Sequence, residues 1–78
     1  MPKLPALTAK ELVRALKRAG FEEDRQKGSH LVLFHSETKR RVVVPMHSGS
    51  LKKPLLLSII HRDLGISLEE FLLLLKAR

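Results

Sequence analysis

The residues of this chain best suited to chemistry are Gly28-Ser29-His30, with Arg25 and Lys27 before them and His47 after the valine-rich run that follows. Imidazole, with an unperturbed pKa of about 6.5, can accept or donate a proton near neutrality. Cations beside it would hold an anion and offset charge developing on it. Ser29 raises the question of a nucleophile, but no Asp is placed by sequence to orient the histidine, so turn chemistry fits Ser29 better than a hydrolase triad. Four histidines also raise the question of a metal. Their positions, 30, 35, 47 and 61, match no compact ligand motif, and Asp24 and Asp63 lie in unrelated elements, so neither metal nor cofactor is expected. His35 reads as a polar strand-end residue and His61 as a helix-surface residue. By default, a lone histidine at a strand start, as His30 is, is solvated or caps a turn.

Composition narrows the partners. At 78 residues the chain reads as a single domain, 1–78, with a modest core and any active site on its surface. Fifteen Lys and Arg against eight Asp and Glu give a net charge of +7, which favours a polyanion, with nucleic acid ahead of an anionic membrane. Three Phe with no Tyr or Trp supply a base-stacking platform poorly, so backbone and shape should dominate any RNA contact. The absence of cysteine removes disulfides and thiolate chemistry and fits a reducing compartment. No apolar run approaches the roughly 20 residues that span a bilayer, and the start carries no signal-peptide pattern. A cytoplasmic protein without membrane partners is the expectation.

The elements that must position these residues follow in a clear order. Thr8-Ala9-Lys10-Glu11 has the form of a capping box, opening a helix from about Ala9 to Ala19. Ala9, Leu12, Val13, Leu16 and Ala19 form its apolar face, Lys10, Arg14, Lys17 and Arg18 a basic solvated one, and Gly20 ends it. Phe21 to Lys27 reads as a polar edge strand and Gly28-Ser29 as a turn. His30 to His35 is a second strand, Ser36 to Lys39 a turn, and Arg40 to Val44 a third strand stopped by Pro45. Pro54 suits the first turn of a second helix that runs through Leu64 to Gly65. Ser67-Leu68-Glu69-Glu70 opens a last helix with another capping box. The fold class is α+β, in the order α-β-β-β-α-α, with a three-stranded antiparallel meander covered by helices on one face. That order is the topology of the double-stranded-RNA-binding fold.

Specific residues carry a closer likeness. Gly20-Phe21, Gly28-Ser29-His30, Val42 to His47 (Val-Val-Val-Pro-Met-His), Leu51-Lys52-Lys53, Ile59-Ile60 and Leu64-Gly65-Ile66-Ser67 together resemble the HicA, or YcfA-like, toxin family. The likeness covers nearly the whole chain. It implies an mRNA interferase, an endoribonuclease of a toxin–antitoxin pair, with mRNA as substrate and a HicB-type antitoxin as protein partner. Many members carry Gly-Thr where this chain has Pro54-Leu55, which removes a hydroxyl that could meet a phosphate at that helix start.

The resemblance makes His30 the catalytic histidine. RNA cleavage without a metal needs a group that takes a proton from the 2′-hydroxyl or gives one to the leaving 5′-oxygen, and imidazole does both. Arg25, Lys27 and Ser29, across or in the turn, and Lys52 and Lys53, ahead of a helix start, are the expected RNA-binding residues. His47 is either a second acid–base or phosphate-binding group or a residue that closes its loop. Two alternatives to the nuclease stand: a non-catalytic RNA-binding module of the same fold, and a small protein-interaction domain whose charge is incidental.

The helices hold more leucine than one core needs. Leu56, Ile59, Ile60 and Leu64 make one buried stripe and Leu68, Phe71, Leu72 and Leu75 another, leaving Leu55, Leu57, Leu73 and Leu74 over. These predict an exposed patch on the C-terminal helices for the antitoxin or a second copy of the chain. The alternative is a last helix folded over an unusually leucine-rich core.

Overall fold

The structure, a computed structural model, describes residues 3–76, so the two ends of the expected 1–78 domain lie outside the described residues. Helix α1 spans Ala9–Arg18, strands β1, β2 and β3 span Glu22–Lys27, His30–Phe34 and Arg41–Pro45, helix α2 spans Lys53–Ser58, and helix α3 spans Leu68–Lys76. The sheet is antiparallel throughout, in the order β1-β2-β3. This is the α+β, double-stranded-RNA-binding-like architecture expected from the order of elements.

The predicted caps are present. Glu11 N–H donates to the Thr8 hydroxyl at 3.2 Å and Thr8 N–H to the Glu11 carboxylate at 2.9 Å. That backbone donation holds the Glu11 carboxyl below its ordinary pKa of 4.5. Ser67 and Glu70 repeat the arrangement at the entry to α3, at 3.1 and 3.2 Å. At the β1–β2 turn Gly28 has φ +60° while Ser29 keeps a negative φ, the glycine-first pattern that suits a two-residue hairpin.

Several boundaries differ from expectation: β1 begins at Glu22 rather than Phe21, and β2 ends at Phe34 rather than His35. Ala19 is the C-cap of α1 rather than its last turn. Strand β3 runs from Arg41 and includes Pro45. Met46 N–H donates to Ser29 O in the next pair, so Pro45 sits at a position that makes no ladder bond, where its missing N–H is harmless. The second helix keeps α geometry only to Ser58 and continues as a π-helical turn over Ile59–Asp63, closed by Leu64 N–H to Ile59 O at 2.8 Å.

The alternation of β2 and β3 decides the core. Leu31, Leu33, Val42 and Val44 point to one face and are buried against Leu12 and Leu16 of α1, Leu56, Ile59 and Ile60 of the second helix, and Phe71 of α3. Strand β1 is exposed along its whole length. Among the described residues no helix covers the opposite face of the sheet in this core arrangement, and Val43 on it is 44% exposed. Of the surplus leucines, Leu73 is 67% exposed and Leu57 also lies at the surface, whereas Leu55 packs against the core and Leu74 is half-buried. The basic side of α1 is not all free: Lys17 pairs with Glu23, and Arg18 donates to the carbonyls of Leu74 and Leu75 at 3.2 and 3.5 Å.

Candidate functional site

His30 is the first residue of β2, paired with Lys27 on one side and Pro45 on the other. Paired residues in an antiparallel sheet share a face, and Leu31 next along is buried, so His30 and Lys27 stand on the open face. Arg25 pairs with Val32, two positions along from His30, and so joins the same face. A bulge between Glu23 and Arg25 resets the alternation before that point. Without the extra residue, Glu23 would share a face with Arg25 and Lys27. With it, Glu22 takes the open face and Glu23 turns to the helix side, where it meets Lys17.

The His30 ring is exposed. Among the described residues neither of its nitrogens has a hydrogen-bond partner, whereas His35 and His47 each use ring nitrogens locally. Among the described residues both positions on the His30 imidazole are therefore unengaged. Ser29 lies in the turn, and its carbonyl accepts from Met46 N–H, which pins the segment after β3 to the Gly28–Ser29 turn.

That pin places His47 at the same end of the sheet as His30. His47 is exposed, its Nδ1 lies 3.2 Å from Ser48 O, and it lines a groove of about 450 Å³ with Lys10, Met46, Gly49 and the start of α1. His30 is not part of that groove's lining. The two histidines are thus brought to one end of the fold without sharing a pocket. Lys52 is the N-cap of α2 and Lys53 its first residue, both exposed. The segment just before them is tied to the start of α1 by the bridge between Thr8 and Ser50 and by Leu51 N–H to Leu7 O at 2.7 Å. Gly28–His30 and the segment entering His47 are thus joined at one end of the sheet, Lys52 and Lys53 follow the segment that bridges to the start of α1, and Arg25 lies one same-face cross-strand pair along from His30. Among the described residues, no group of three or more His, Asp or Glu side chains comes together as a metal site.

His35 does more than its sequence position suggests. Its Nε2 lies 3.2 Å from Ala19 O, its Nδ1 accepts from the N–H groups of Glu37 and Thr38, both at 3.2 Å, and its ring meets Phe21 edge-on at 5.1 Å. All three polar contacts are satisfied together when Nε2 donates to Ala19 O and Nδ1 accepts. Gly20 is needed beside it, because a Cβ there would stand 2.7 Å from His35 Nε2.

Two residues of interest escaped the sequence reading. Lys10, assigned to a solvated helix face, lines the His47 groove. Arg41 stands on the same sheet face as His30, its guanidinium over the Phe34 ring at 5.1 Å from the centroid. The signal for Arg41 was its even spacing from Val43 and Pro45 along β3.

No curated protein gives a significant match to this chain. Among protein families, residues 9–66 match the one described as the HicA toxin of bacterial toxin–antitoxin, a stretch holding α1, the sheet, the second helix and every site residue named above. With the fold and the Gly28-Ser29-His30 turn in agreement, the chain belongs to the HicA toxin family.

Proposed function

We propose that this toxin is an endoribonuclease that cleaves mRNA without a metal ion, with His30 as the proton-transfer catalyst. The observation that carries this reading is the exposed His30 ring, both nitrogens free, on a sheet face beside Lys27 and Arg25. A phosphodiester laid against that corner meets two cations and an imidazole. The imidazole takes the 2′-hydroxyl proton as the oxygen attacks phosphorus, or supplies a proton to the departing 5′-oxygen. Lys27 and Arg25 offset charge building on the non-bridging oxygens. Lys52 and Lys53 extend the phosphate track, and His47 is a second group able to hold a phosphate or exchange a proton. Membership of the family implies a cognate antitoxin.

The test is incubation of purified protein with a long single-stranded RNA in EDTA. Fragments produced by the wild-type chain and missing with His30→Ala support the proposal. Fragments made equally by His30→Ala, or dependent on added divalent metal, overturn it. A second reading, RNA binding without cleavage, draws on the fact that no side chain among the described residues orients the His30 ring, and salt-sensitive binding with no fragments would favour it.

A further inference from the structure

The open face of the sheet continues past His30, and its far end is built for a nucleobase. His30–Pro45, Val32–Val43 and Phe34–Arg41 are successive cross-strand pairs on that face. The Met46–Ser29 bond places Pro45 at a position without ladder bonds, and the alternation of the ladder puts all three pairs in the class whose side chains approach most closely. On β1 the same rows end in Lys27, Arg25 and Glu22. The face therefore passes from a cationic row with the histidine, through a row with two valines, to an aromatic ring beneath a guanidinium.

Phe34 stands apart from the other two phenylalanines. Phe21 and Phe71 are buried in the core, while Phe34 is half-exposed and packs with Arg41, which is exposed. An aromatic ring and an arginine plane are the two protein surfaces on which unpaired bases stack. Phe34 lies four residue steps along β2 from His30, about 13 Å at the usual strand rise. That is a short step along an extended single strand. Val43, 44% exposed between them, offers apolar contact to a sugar or base edge. Glu22 closes the last row on the β1 side and repels phosphate there, so the backbone of a bound strand is drawn to the Arg41 side.

The geometry points to a base-binding subsite at Phe34 and Arg41, which holds one unpaired base of a single-stranded RNA whose backbone runs over Val43 to His30. This inference rests on the ribonuclease reading for the position of the scissile bond. The stacking contact itself does not depend on cleavage.

The experiment measures binding to a mixed-sequence single-stranded RNA methylated at every 2′-oxygen, so that it cannot be cleaved. Phe34→Leu, which keeps apolar bulk without a ring, is expected to weaken binding roughly tenfold with its salt dependence unchanged, and Phe34→Trp to bind at least as well as wild type. Arg41→Gln is expected to weaken binding and lower the slope of log affinity against log salt by about 0.7, one single-strand phosphate contact. Arg41 is exposed, so this variant tests the subsite even if Phe34→Leu fails to fold. Wild-type affinity in folded Phe34→Leu, or in Arg41→Gln, overturns the subsite. So does a Phe34→Leu chain that binds RNA normally but no longer binds its antitoxin, which would make the face a protein-docking surface. If wild-type protein fails to cleave RNA while the Phe34 and Arg41 effects hold, the nuclease reading fails and the subsite stands.

Discussion

His30 opens β2 and His35 follows its last residue. At the first position the ring is exposed and its nitrogens are free. At the second it is half-buried and bonded to the end of α1 and to the β2–β3 turn. A ring whose two nitrogens serve backbone groups cannot exchange protons with a substrate without releasing that structure. A ring that holds nothing in place can. The same residue type is therefore structural at one end of a strand and available for chemistry at the other, and the difference lies in what the backbone around each asks of it.

The strongest way to break the comparison is to remove each ring in turn. His30→Ala is expected to abolish growth inhibition on expression, with cleavage falling by at least roughly a hundredfold. Thermal unfolding should stay within about 0.5 kcal/mol of wild type, because no core volume depends on this residue. Loss of the fold in His30→Ala would contradict the account. His35→Ala should do the reverse, costing about 1–3 kcal/mol as the Ala19 carbonyl and the two turn N–H groups lose their partner. In a domain of this size that lowers Tm by roughly 5–20 °C, with cleavage retained well below the transition. An unchanged Tm would show that the hydrogen bonds at the β2–β3 turn carry no weight.

The comparison is sharpened by residues that bind without reacting. Lys52→Ala with Lys53→Ala should weaken RNA binding and flatten its salt slope by about 1.4, two single-strand phosphate contacts, while the pH dependence of cleavage keeps its shape. A shifted pH profile would bring these lysines into the chemistry at His30. The smallest effect belongs to neither histidine. The carboxyl of Glu11 titrates below its ordinary 4.5 because Thr8 N–H donates to its charged form. Its contribution to stability is therefore complete above that value and lost as pH falls through the lower folded pKa. In a carboxyl NMR titration Glu11 should have a midpoint below 4.5, and a midpoint at or above 4.5 would contradict the cap geometry.

Much of this was legible from local chemistry. Thr8 with Glu11, Ser67 with Glu70, and Gly28-Ser29 each announce a cap or turn through residues within three positions of one another. The contacts that sequence spacing missed are decided at longer range or by a single inserted residue. The role of His35 depends on Ala19 across the fold, and the π-helical turn at Ile59–Asp63 has no composition of its own. The bulge at Asp24 is the most consequential case, since strict alternation from Lys27 would bring Glu23 to the site face, and the extra residue sends it to Lys17. Arg41 shows the opposite failure. Its alternation with Val43 and Pro45 was readable, but an apolar strand drew attention to its core side and away from the face it shares with His30.

The central claim, that His30 moves a proton rather than merely touching RNA, is tested most directly by the single-turnover cleavage rate of His30→Gln in EDTA under saturating protein. Glutamine keeps polar contact with RNA but does not titrate near neutrality. The account predicts wild-type RNA affinity and a rate at least roughly a hundredfold below wild type. A His30→Gln chain that binds and cleaves at the wild-type rate would contradict it.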